Sequence, residues 1–186
     1  MRIDYSNMPV GSSRINFRLR WYYNILRSWY LFHFKYPWVK YKGFTRVLPG
    51  TRFAKGFIVE LGEHVQFGRN TSVTFNCIFG NYILVAQDVS FVGKNDHQID
   101  IPGQYIWKGK HSTDGYICIE DDVWIGEGAI IVGPLTIGKG SVIASGAVVT
   151  HDVPSCEVWG GVPAKKIKDR FSDETAKQQH ISYLER

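Results

Sequence analysis

The segment IGKGSVIASGAV, residues 137–148, returns a branched apolar residue at every sixth position. Neither elementary period produces that spacing, because a half-buried strand alternates every two residues and an amphipathic helix repeats near 3.6. The register runs without slip through Ile119, Ile125, Ile131, Ile137, Ile143 and Val149, with Val123, Ala129, Leu135, Ser141, Ala147 and Val153 in the fifth places. An upstream ladder occupies Leu61, Phe67, Val73, Phe79, Val85 and Phe91, with Val65, Thr71, Cys77, Ile83 and Val89 in its fifth places. Self-similarity at a fixed period marks a repeat architecture. Each hexapeptide supplies a short strand and a turn, three of them close a triangular coil, and the first residue of each points to the axis. Stacked coils then bury an apolar column that no single coil could bury alone. A β-sandwich does not demand a period of six. Glycine in the second place (Gly62, Gly68, Gly80, Gly126, Gly138) is expected to serve tight backbone bends.

The two ladders do not join in register, since the step from Phe91 to Ile119 is not a multiple of six. After FVGKND, the unit that should open on an apolar side chain opens on His97, and residues 97–118 form a long excursion, HQIDIPGQYIWKGKHSTDGYIC. A long excursion from a solenoid needs a reason, and long structured loops are commonly functional.

Charge is unevenly spread along the 186 residues, whose length suits one domain. Residues 1–56 hold 11 of the 22 basic residues and a single acid, Asp4, a net +10 against −5 for the remainder. This leader mixes basic and aromatic residues at roughly helical spacing up to Pro37. It has no apolar run long enough to span a bilayer and lacks a signal peptide's order of parts. Its aromatics suit capping of the coil stack, packing on a neighbouring subunit, or peripheral contact with an anionic membrane surface. No base-reading motif accompanies the charge, so nucleic acid is not an expected partner. Cys77, Cys118 and Cys156 show no ligand spacing; free thiols and no export signal predict a cytoplasmic protein, with the inner membrane face as a further expectation from the leader.

Together the two ladders, the loop opened by His97 after GKND, the run VWIGEGAIIVGPLTIGKGSVIASGAVVTHDVP and the closing VWGGVPAKKIKDRF resemble the hexapeptide-repeat acyltransferases. The resemblance is narrower still to the branch holding sugar O-acetyltransferases and xenobiotic acetyltransferases, and it covers residues 57–171. It implies an all-β solenoid: a left-handed parallel β-helix over 57–160 with the loop 97–118, between the basic aromatic segment 1–56 and a C-terminal turn and helix over 161–186. It further implies a homotrimer whose sites lie between adjacent prisms, with acetyl-CoA along the coils. By similarity His97 is the catalytic base, while Trp124, Glu127, Ser145, Thr150, Gly160, Ala164, Lys165 and Lys168 bind acetyl-CoA. Asn76, Asp96, Tyr105, Trp107 and His111 fall on the acceptor side. Asp96 stands where relatives carry Asn or Thr before the histidine.

Elementary chemistry agrees with that picture. A sugar hydroxyl is a weak nucleophile at neutral pH, a thioester is an activated acyl donor, and the missing part is a base; an imidazole, with a reference pKa of about 6.5, suits the task. Aromatic faces such as those of Tyr105 and Trp107 suit the apolar faces of sugar rings. No metal is expected, because the HxxxxH ligand spacing of the zinc-dependent hexapeptide carbonic anhydrases is absent. The expected activity is O-acetylation of a sugar in surface polysaccharide biosynthesis. A xenobiotic acetyltransferase and a non-catalytic trimeric scaffold are the other readings.

Overall fold

The computed structural model describes residues 3, 5, 8, 10–94, 97–111 and 114–186. Asp96 lies outside the described residues. The chain winds into a left-handed parallel β-helix whose three flat sides are sheets of five, seven and five strands. Val59 lies opposite Cys77, Gln66 opposite Leu84 and Ser72 opposite Ser90, so one coil takes three hexapeptides. Cys77 then lies opposite Ile117, a far longer step, and the surplus over one coil is the excursion. The stack begins earlier than the repeat does. Strands Val39–Tyr41, Thr45–Val47 and Arg52–Phe53 form a first coil, and its step is longer than three hexapeptides, since Val39 lies opposite Val59.

Both apolar ladders and all the fifth-place residues are buried. Along the lower axis Phe53, Phe67, Phe79 and Phe91 stack edge to face, with successive centroids 5.3, 5.1 and 5.2 Å apart. Above them the axis is aliphatic, from Ile119 to Val149. Each such side chain contributes about 1.5–3 kcal/mol by burial. Cys77 is a fully buried member of this core, and burial pushes its thiol well above the usual range.

The second-place glycines do a different job from the expected one. None of the five has positive φ. A Cβ on Gly68 would stand 2.3 Å from the Ala86 carbonyl carbon, and one on Gly126 would stand 2.6 Å from Ser145 N, so these positions are glycine because the next coil passes too close. The left-handed backbone falls instead on the fourth place. His64, Asn70, Tyr82, Asp88, Asp122, Gly128, Gly140 and Gly146 all have φ between +56° and +69°.

Helix α1 (Arg14–Tyr30), capped by the Ser13 hydroxyl accepting from Asn16 N–H, runs into a π-helical turn at Leu31–Lys35. That turn closes the open end of the prism: Leu31, Phe32 and Tyr36 are buried, and Phe32 and Tyr36 pack on Phe53. At the other end strand Glu157–Gly160 is joined by the antiparallel strand Lys165–Asp169, and α2 (Glu174–Leu184) folds back. His180 Nε2 and Arg170 Nη1 meet one oxygen of Asp122 at 2.9 and 2.6 Å, tying this segment to a corner two coils below.

Ile137→Asp places an unpaired carboxylate in the axial column. The expected result is a loss of at least about 4 kcal/mol in denaturant unfolding, or no folded protein at all.

Candidate active site

The three corners of the prism are not alike. Going round a coil, the chain passes the sheet of Ile117–Ile119, then that of Trp124–Ile125, then that of Ile130–Gly133. The left-handed residues described above fill the first two corners of every complete coil. The third corner, after Phe75, Gly93 and Gly133, lacks them. The long loop leaves from this third corner, after Ser90–Gly93, and re-enters the stack at Ile117.

The loop folds on itself. Gln98 N–H donates to the Lys110 carbonyl at 3.1 Å, and a 3-10 turn at Ile106–Lys108 reverses the chain. This brings the half-buried His97 against His111, with ring centroids 4.2 Å apart. Asn76 lies at the same corner: its Oδ1 accepts from Ile58 N–H and its Nδ2 donates to Gly115 O at 3.2 Å. Gly115 itself is pressed against Pro134 of the next coil. His97, His111 and Asn76 are therefore gathered at one corner. Tyr105 and Trp107 stand at the tip, 76% and 91% exposed, so no described part of a single chain covers them.

The residues assigned to acetyl-CoA collect elsewhere. The second corner carries a column: Gln87 Nε2 donates to Glu127 Oε1 at 2.9 Å, Gly146 N–H donates to Glu127 O, and Ser145 lies above Glu127. Val142 opposite Val158 and Ile143 opposite Trp159 extend the same column to Gly160 and Gly161. There Val148 N–H donates to Gly161 O and Ala164 N–H to Val148 O. Gly160 has no room for a side chain, because a Cβ would sit 2.9 Å from that of Ala144. Lys165 extends the column as an exposed cation, on a strand rather than at a helix start, while the equally exposed Lys168 lies further back on that strand, opposite Val158. Trp124 is exposed on the sheet leading into this corner, between Leu84 and Val142. Thr150 is the exception among the cofactor set. It lies on the third-corner side, its hydroxyl 2.9 Å from His151 Nδ1.

One chain thus holds the loop at one edge of the third sheet and the column at the opposite edge.

Residues 119–151 match the family described as bacterial transferase hexapeptide (six repeats). A Schizosaccharomyces pombe protein that bears an acetyltransferase name is 35% identical over 120 residues, 59% of this chain and 55% of its own. Serine acetyltransferase of Bacillus licheniformis is 31% identical over 119 residues, 64% of this chain and 46% of its own. Among solved structures, galactoside acetyltransferase in complex with coenzyme A superposes with a TM-score of 0.60 at 26% identity, covering 72% of this chain and 64% of that one. The chain carries the hexapeptide repeat of that family. It spans about half the length of the curated relatives it matches.

This hexapeptide-repeat chain also carries a feature that sequence reading missed. A cavity of about 330 Å³ lies on the outer face of the first sheet, lined by Trp38, Lys40, Phe57, Glu60, Ile78 and Tyr116 among others. It adjoins the loop corner, since Tyr116 follows Gly115. The signal was in the chain but offset: Lys40, Glu60 and Ile78 share one outward column only once the first coil's longer step is known.

Gly109 lies where a Cβ would stand 2.5 Å from Gln98 O. Gly109→Ala is expected to part the two limbs of the loop, raising amide exchange across 97–111 while the melting temperature stays unchanged.

Proposed function

We propose that this protein is an acetyl-CoA-dependent O-acetyltransferase that acts on a sugar hydroxyl as a homotrimer, with His97 as general base. The observation that carries the reading is the half-buried His97 against His111, at the foot of the long excursion from the coils. The second-corner column fits a long thin ligand that ends in phosphates. Its wall is made of small residues at Ser145, Gly160, Gly161 and Ala164, its end carries the exposed ammonium group of Lys165, and Lys168 stands exposed further back on the same strand. The bound thioester supplies an activated acetyl group.

His97 accepts the proton of the acceptor hydroxyl as that oxygen bonds to the thioester carbonyl carbon, and returns it to the sulfur when the C–S bond breaks. No acyl-enzyme is required. Asn76 and His111 flank the acceptor hydroxyl in this reading, and Tyr105 and Trp107 pack on the sugar faces. The basic leader supports an acceptor in surface polysaccharide synthesis, borne on a lipid or an anionic chain.

The site is shared between subunits, because the loop corner and the cofactor column face away from each other on one prism. Trimer packing that sets one chain's loop against the next chain's column supplies what a single chain lacks.

His97→Ala is expected to lower acetyl transfer by roughly 10²- to 10⁴-fold while acetyl-CoA binding and the melting temperature are kept; unchanged thiol release with a panel of sugar acceptors would falsify the assignment. A second experiment tests the shared site. His97→Ala and Ser145→Trp proteins are each expected to be inactive alone, and co-expressed mixed trimers are expected to recover activity from interfaces that pair an intact loop with an intact column. A site held within one chain gives no recovery.

A further inference from the structure

Helix α1 is amphipathic the wrong way round for a helix that packs on a core. Asn24 and Ser28 are buried against the prism, where the Ser28 hydroxyl donates to Thr45 O and Arg27 Nε donates to Val47 O at 3.0 Å. At 3.6 residues per turn, Ile15, Leu19, Tyr22, Leu26 and Tyr30 lie within about 80° of arc, centred opposite Asn24 and Ser28. These five side chains are 54–70% exposed. Trp29 and Phe34, 45% and 64% exposed, extend the stripe towards the π-helical turn.

We propose that this outward face of α1 binds an anionic lipid surface. Charge complementarity selects the occupant. Exposed Arg14 and Arg18 flank the stripe on one side and Arg20 on the other, and no acidic residue occurs between Asp4 and Glu60. A cationic helix with Trp, Tyr and Leu on one face lies in the plane of a headgroup layer, its apolar side chains reaching the acyl boundary. It does not cross: no helix among the described residues is long and apolar enough to span a bilayer. Among the described residues the face is left open, because the open end of the prism is sealed by Leu31, Phe32 and Tyr36 rather than by the stripe. The inference is independent of acetyl transfer and of His97.

Flotation of the full chain with phosphatidylglycerol-containing and with pure phosphatidylcholine vesicles tests it. The wild type is expected to float with the anionic vesicles only, and less so as salt rises. Leu19→Glu/Leu26→Glu is expected to reduce the bound fraction by roughly ten-fold or more with the melting temperature and light-scattering mass unchanged, and Arg14→Glu/Arg18→Glu to abolish the preference for anionic lipid. The proposal is overturned if the wild type does not float or floats equally on neutral vesicles. It is also overturned if Leu19→Glu/Leu26→Glu lowers the oligomeric mass, which would make the stripe an interface between copies of this chain.

Discussion

Coil-on-coil contact at strand spacing, about 4.8 Å, sets the terms for everything else in this molecule. At that distance four of the six places in the repeat each answer to a different constraint. The first meets the axis and must be apolar; the fifth fills a corner from inside. The second lies under the backbone of the next coil, and the fourth turns the corner in the left-handed region. These demands are met repeatedly by the same few residue types, which is why the period is visible at all. The non-glycine residues at the fourth place are mostly Asn and Asp, whose short polar side chains tolerate that backbone best. His64 and Tyr82 are exceptions, and they stack on one another across adjacent coils at 4.8 Å.

A structure governed by such uniform rules shows its function where a rule lapses. After Phe75, Gly93 and Gly133 the third corner does without the left-handed fourth-place residue that the other two corners use, so the chain there is free to depart without breaking a turn that the neighbouring coils require. The stack loses little by the departure: Ile117 returns opposite Cys77 and Ile119 opposite Phe79, as if the intervening residues were absent. An insertion with so small a cost to the core can carry a histidine pair and exposed aromatics that the prism itself has no place for. The corner free to carry the loop is not the corner where the column of Glu127, Ser145 and Gly161 forms.

The coil stack from Leu61 to Val153 was legible because its constraints recur every six residues, and His97 was legible because it stands where that recurrence stops. Other features were hidden for physical reasons. The first coil keeps the hexapeptide spacing in Tyr41, Val47 and Phe53, but a longer step from Phe53 to Leu61 puts it out of register with the ladder that follows, so its strands did not read as coils. The role of the second-place glycines was misread because a glycine in sequence does not say whether φ or clearance requires it. The strand Lys165–Asp169 was hidden because its partner runs antiparallel and its five residues are all exposed, leaving no burial pattern. Lys166, between Glu157 and Asp169 at 2.9 and 2.8 Å, is a contact that only the fold creates.

The inverted helix follows from the same end-of-stack problem. Thr45–Val47 is the edge strand of its sheet, and an edge presents unpaired backbone groups that need hydrogen-bond partners or cover. An apolar helix face laid against it would leave those carbonyls buried without donors, at a cost of roughly 1–3 kcal/mol each. Ser28 and Arg27 provide the donors, so α1 turns its polar side inward. Once that side is committed, the helical period fixes the opposite direction for Ile15, Leu19, Tyr22, Leu26 and Tyr30. Their exposure is thus the geometric consequence of satisfying a sheet edge with side chains, and it leaves a cationic, aromatic face whose complement lies outside the chain.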